Sequence, residues 1–192
     1  MSTARVRTRR WTRSEYERLI DRGVFREDER LELLDGVLVV KEPQGDPHAA
    51  AVDLAVAALR GTFGTGWLVR AHAPLALGHR SRPEPDVSVV RGSPRDYRSA
   101  APTEAVLVVE VSQTSLAFDR TRKASIYARA RIPDYWIVNL VERVVEVHHD
   151  PIPLDAPGRG WAYRSVQTLQ PGASVAPLAV AAVPISIADL LP

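Results

Sequence analysis

Four side chains have types and positions that suit shared chemistry. Glu110 sits in the apolar run "AVLVVEVS", Ala105 to Ser112. Such a run reads as a strand buried on both faces, where an ionised carboxylate is costly unless it is paired or coordinates a metal. Asp86 follows Pro85 at the entrance to the short strand "PDVSVV", and Glu32 lies inside the apolar "RLELL". If the two strands pair, Asp86 and Glu110 point into one crevice at the sheet edge. Two or three converging carboxylates make a site for a hard divalent cation. Mg²⁺ takes six oxygens at about 2.0–2.1 Å and usually keeps water and substrate phosphate among them. Lys123 lies just downstream in "FDRTRKASIY", with Asp119 four residues before it and Tyr127 four after. That spacing places all three on one helical face. An ammonium over the carboxylate crevice can orient an attacking water or offset charge developing on a phosphate.

Each residue also has an ordinary reading. Glu32 fits a solvent-facing position on an alternating strand, and Asp86 after proline fits a turn. Glu110 suits a salt bridge to a buried arginine, and Asp119 with Lys123 suits a surface ion pair. His48, near a helix start, reads as a structural or surface residue as readily as one that approaches the site. The His148-His149 pair lies at a strand end, where alternation sends the rings to opposite faces. The four tryptophans, Trp11, Trp67, Trp136 and Trp161, read as core anchors.

Positioning these residues needs a particular set of elements. Thr12 with Glu15 has the spacing of a capping box, and Tyr16, Leu19 and Ile20 give a helical stripe ending near Gly23. "RLELLDGVLVV" predicts a hairpin around Asp35-Gly36, a favoured type I′ turn. Asp46-Pro47 predicts a second helix, with Asp46 as cap, that stops near Gly61. "GWLVRAHAPLAL" reads as extended chain interrupted at Pro74, and "RGSPRDYRSAAPTE" as loop. A helix starts near Phe118 and carries Lys123. "DYWIVNLVERVVEVHH" predicts two strands joined at Val141-Glu142, and "WAYRSVQTL" an edge strand. Helices at three places with strands between them predict one mixed sheet in a single α/β (α+β) domain.

Composition agrees with one domain. The 192 residues are 45% hydrophobic and 25% charged, with a formal net charge of +2 and no cysteine. Absence of cysteine excludes disulfides, thiolate metal sites and cysteine nucleophiles, and is compatible with a cytoplasmic location. No apolar run approaches the roughly 20 residues of a membrane-spanning helix. "MSTARVRTRRWTR" has five arginines and no apolar core, so it does not read as a secretory signal. Arginine dominates the basic residues, with lysine only at Lys41 and Lys123, and guanidinium groups suit bidentate phosphate contacts.

The residues "PD" at 85–86, "VEVS" at 109–112 and "LAFDRTRKASIYARARIPDYWIVNL" at 116–140 resemble the Uma-two restriction-endonuclease family. That family lies within the PD-(D/E)XK nuclease superfamily. The hairpin and Pro47-His48 fit its N-terminal half, so the resemblance runs roughly from Trp11 to His148. It implies a restriction-endonuclease-like mixed central sheet flanked by helices over residues 13–192, preceded by a flexible basic arm, residues 1–12. It implies Mg²⁺ or Mn²⁺ held by Asp86, Glu110 and the Val111 carbonyl, with Glu32 as the family's upstream glutamate. Ser112 stands where the superfamily pattern "E-x-K" has its lysine, and Lys123 is the matching position on the following helix. His48, Asp119 and Tyr127 are accessory candidates. The implied function is metal-dependent endonucleolytic hydrolysis of DNA. A catalytically inactive nucleic-acid-binding or scaffold module is the alternative. A third reading is an interaction subunit whose acidic residues form structural salt bridges. The N-terminal arginines and "RGSPRDYR" are expected to meet backbone phosphates without sequence preference. Cleavage of both strands by a one-site chain predicts a homodimer.

Overall fold

The computed structural model describes residues 8–26, 28–41, 43–154 and 160–192. Residues 1–7 of the expected arm therefore lie outside the described residues. Helix α1 (Arg13–Asp21) opens with the expected capping box: Glu15 N donates to the Thr12 hydroxyl, and Thr12 N donates to the Glu15 carboxylate. Its inward residue is Tyr16, whose hydroxyl donates to the Leu31 carbonyl at 2.8 Å. Strands β1 (Leu31–Leu34) and β2 (Val37–Val40) form the predicted hairpin. Asp35 and Gly36 have φ of 51° and 77°, the two left-handed residues that a type I′ turn requires.

Helix α2 (Asp46–Phe63) differs from expectation at both ends. Gly45, in extended conformation, is the cap, so Asp46 sits inside the first turn, where its charge meets the positive end of the helix dipole. The helix runs through Gly61 because Phe63 is buried and packs edge-on against Trp67. Gly64, at φ 65°, then turns the chain.

The central sheet has six strands in the order β3 (Trp67–Ala71), β4 (Val87–Arg91), β5 (Leu107–Ser112), β6 (Asp134–Asn139), β7 (Val144–Pro153) and β8 (Trp161–Leu169). Only β5 and β6 run parallel. Their crossover is a continuous helical run: α3 (Leu116–Phe118), a π-helical segment Asp119–Lys123 and α4 (Ala124–Arg129). Strand β8 is an edge strand, as expected. The expected mixed central sheet flanked by helices in a single domain is present, but not every strand joins it. The β1–β2 hairpin is a separate two-stranded sheet joined to the body at the Leu33–Arg82 bridge, and β9 (Ser174–Val175) with β10 (Ile185–Ser186) forms a third.

Alternation divides the core in two. Val87, Val89, Leu107, Val109 and Val111 face α2 and its stripe Ala51, Val52, Ala55, Leu59 and Phe63. On the opposite face, Val90, Val108, Tyr135 and Ile137 pack against α4 and the hairpin residue Leu34. Of the four tryptophans only Trp136 is fully buried; Trp11, Trp67 and Trp161 are half-buried, each beneath an arginine. Among the described residues no helix is long and apolar enough to cross a membrane.

Candidate active site

Glu110 shares the α4 face of β5 with Val108 and Ser112, because side chains two residues apart point the same way. The antiparallel pairing Val87 with Val109 brings Asp86, one residue before β4, opposite Glu110. The Asp86 amide accordingly lies 3.4 Å from Glu110 Oε2. The crevice sits at the ends of two interior strands, the second and third of six. This corrects the expected position at the sheet edge. Glu32 arrives from β1 and is buried, so it is not solvent-facing; its Oε2 accepts from the Glu84 amide at 3.1 Å.

Lys123 enters from the crossover helix and is also buried. Its Nζ lies 3.0 Å from Glu110 Oε1 and 3.7 Å from both Glu32 Oε1 and Asp119 Oδ1. The counter-charge to Glu110 is thus a lysine rather than an arginine, and the Asp119–Lys123 pair is interior rather than superficial. One turn further on, the Tyr127 hydroxyl donates to Glu110 Oε1 at 2.6 Å. The wide π turn is tied down at Asp119, whose carbonyl accepts from Tyr135 Oη and whose Oδ2 accepts from Ser112 and Ser115. Such π segments recur at functional sites. Here the segment presents Asp119 and Lys123 together to the strand ends.

Asp86 is held by partners from three directions. Its Oδ2 accepts from Val111 N at 2.9 Å and lies 3.1 Å from His48 Nε2, while Oδ1 accepts from Gln44 at 3.1 Å. His72 Nδ1 is 3.6 Å from Oδ1. His48 therefore reaches the site from the first turn of α2, and Val111 contributes its amide to Asp86 and lines the cleft. Gln44, His72 and Glu84 carried no sequence signal, since they belong to irregular chain that only the fold brings to Asp86 and Glu32.

Four carboxylates, those of Glu32, Asp86, Glu110 and Asp119, surround one ammonium. Burial, opposed by Lys123 and reinforced by Asp86, Asp119 and Glu32, pushes the Glu110 carboxyl up to about 8. Burial also raises Asp119 against the pull of Lys123 and the two serine hydroxyls. For Asp86 burial acts upward, yet His48, Lys123 and the Val111 amide outweigh it and hold the group well below the usual carboxylate range. Lys123 is desolvated, but the surrounding carboxylates raise it above the ordinary lysine value. The upward push is greatest at Glu110, the most enclosed of these carboxylates, because desolvation penalises its charged form more than the nearby ammonium favours it.

These groups line a cleft of about 480 Å³, walled by β2, the Gln44–His48 turn and Phe118. Among the described residues no three acidic or histidine side chains are arranged around a single point for a metal ion. The oxygen donors of Asp86 and Glu110, both lining this cleft beside further carboxylates, nonetheless suit Mg²⁺ or Mn²⁺. Mg²⁺ is commonly held by one or two carboxylates together with water and substrate oxygens.

Two other expectations are corrected or refined. The "RGSPRDYR" loop follows β4 at the end opposite Asp86, roughly 17 Å away along five strand residues, so its arginines do not border the cleft. His148 and His149 have separate surroundings, His148 beside Tyr135 and Tyr163, and His149 2.9 Å from Asp134.

The fold is similar to a crystal structure described as a putative nuclease belonging to DUF820 from Anabaena variabilis. The TM-score is 0.65 at 19% identity, over 94% of this chain and 97% of that one. No curated protein matches the sequence. The family model Uma2, described as "Putative restriction endonuclease", matches residues 13–187. With nearly the whole described domain inside that match, the chain belongs to the Uma2 (Uma-two) family.

Proposed function

We propose that this chain is a divalent-metal-dependent endonuclease that hydrolyses DNA phosphodiester bonds. The observation that carries this reading is Lys123. Ser112 occupies the lysine place of "E-x-K", yet an ammonium reaches 3.0 Å from Glu110 by way of the crossover helix. Burying a lysine costs several kcal/mol unless its charge is matched and used. Here it is matched by three carboxylates beside an open cleft.

Asp86 and Glu110, with the Val111 carbonyl, would hold the cation. Bound there, Mg²⁺ or Mn²⁺ supplies a Lewis acid at the phosphoryl oxygen and eases ionisation of water. Lys123 Nζ positions the attacking water and balances charge as it develops on the phosphate. Glu32 and Asp119 fix that ammonium, and Tyr127 fixes the Glu110 carboxyl that Lys123 addresses. His48 and Gln44 hold the rotamer of Asp86.

A plasmid nicking assay with Mg²⁺ or Mn²⁺ tests the proposal, comparing the parent chain with Glu110→Ala. Metal-dependent nicking that disappears in the variant supports it. Equal nicking by both proteins, or none by either on supercoiled, relaxed and single-stranded DNA, refutes it. One observation favours a second reading, a nuclease-like module that binds nucleic acid without turnover. Both Asp86 oxygens and Glu110 Oε1 are already engaged by protein donors. That reading predicts DNA binding of equal strength with and without divalent ions and no strand cleavage.

A further inference from the structure

At the turn of the hairpin, a surface cavity of about 410 Å³ is lined by Arg10, Asp35, His79, Arg80, Arg122 and Arg129, among others. Four guanidinium groups face one carboxylate. Arg129 pairs with Asp35, and Arg122 Nε lies 3.8 Å from it. The other anchors are neutral: Arg10 donates to the Asp35 carbonyl at 2.7 Å and Arg122 to the Leu34 carbonyl at 3.4 Å. Arg80 and His79 are exposed and have no acidic partner among the described residues. Carbonyl anchors fix an arginine without reducing its charge, so the groups repel one another in the free protein. An anion with several acceptor oxygens relieves that repulsion.

Resting on the nuclease reading above, we infer that this arginine cluster docks backbone phosphates of the DNA strand entering the cleft. Position supports this. Arg122 directly precedes Lys123 in the π segment, and Asp35 is three residues beyond Glu32, roughly 10 Å along an extended chain. One strand of B-DNA advances 3.4 Å along the helix axis per phosphate, so the cluster lies within a few phosphates of the carboxylates. The cleft floor itself carries excess negative charge and repels a phosphate, which makes an adjoining cationic hold necessary. Guanidinium forks suit phosphate oxygens bidentately.

The test is fluorescence anisotropy of a short labelled DNA duplex in EDTA, with salt varied from about 50 to 200 mM. Each phosphate contact contributes about 0.9 to the slope of log K against log salt. Arg10→Ala/Arg80→Ala/Arg129→Ala should lower the slope by roughly 2.7, and Arg10→Ala/Arg80→Ala, which spares the Asp35 pair, by about 1.8. Arg80→Lys should retain the parent slope, and Arg164→Ala, on the distant edge strand, should not change it. Unchanged slopes in the cluster variants, an equal fall in Arg164→Ala, or a parent chain without salt-sensitive binding overturns the inference. Because binding is read in EDTA, a chain that binds through the cluster but never nicks refutes only the nuclease reading. Nicking with unchanged slopes refutes only the docking surface.

Discussion

Replacing Glu110 by glutamine isolates the proton that the cleft stores. Glutamine keeps the shape and still accepts from the Tyr127 hydroxyl, but it does not titrate. In the parent, burial lifts Glu110 from 4.5 to about 8 despite Lys123. Between those values the folded chain holds a proton that the unfolded chain has released, so stability falls as pH rises through the window. At about 1.36 kcal/mol per unit, the full window amounts to roughly 5 kcal/mol. A domain of this size shifts its melting temperature by about 2–4 °C per kcal/mol, giving roughly 10–20 °C. Thermal melts followed by circular dichroism from about pH 5 to about pH 9 compare parent and Glu110→Gln. Groups outside the cluster titrate in both proteins and cancel in the difference. The parent should lose melting temperature relative to the variant up to about pH 8 and run level with it above. Parallel curves throughout would mean that Glu110 stays ionised and fully compensated, and the account of the cluster would be wrong.

Three further outcomes follow from neighbouring contacts. Lys123→Met should reduce metal-dependent nicking by about 10²–10³, and should cost roughly 3–5 kcal/mol of stability by stranding carboxylates, a loss that chemical denaturation finds smaller near pH 5 than near pH 8. Arg120→Ala removes the bidentate partner of buried Glu146, leaving the Asn139 amide. Burial acts to raise Glu146, but Arg120 and Asn139 hold it below its ordinary value. The deficit, about 1 kcal/mol for a half-exposed arginine, should therefore be present at neutral pH and shrink as pH falls through the carboxylate range in urea titrations. Gly36→Ala places a methyl group 2.8 Å from the Trp11 carbonyl at φ 77° and should lower the melting temperature by several degrees, at about 1–3 kcal/mol.

Much of the architecture was legible because local chemistry dictated it. Thr12 and Glu15 cap α1, and Asp35-Gly36 turns the hairpin, since each needs only neighbours within a few residues. The apolar run ending in "VEVS" could only be an interior strand, and a charge inside it required compensation. The family resemblance, through the "IPDYWIV" context, singled out Lys123 as the residue to look for beside Glu110, and its ammonium lies 3.0 Å from that carboxylate. The C-terminal end of α2 was misplaced because Phe63 and Trp67, paired by tertiary packing, outweigh the local preference of Gly61 to stop a helix.

What the chain alone could not decide is who meets whom across distance. Whether Glu32 faced water or the core depended on the hairpin folding down as its own sheet, with Leu33 bridged to Arg82. Gln44 and His72 lie in irregular segments with no periodicity, so only the packed structure brings them to Asp86. The π segment likewise has no sequence signature here, yet it turns Asp119 and Lys123 jointly toward the strand ends. Residue types and spacing determined that carboxylates and a lysine were available. The antiparallel register of β4 with β5 and the return of the crossover helix over the end of β5 decided that they share one desolvated space, where their charges become strongly coupled.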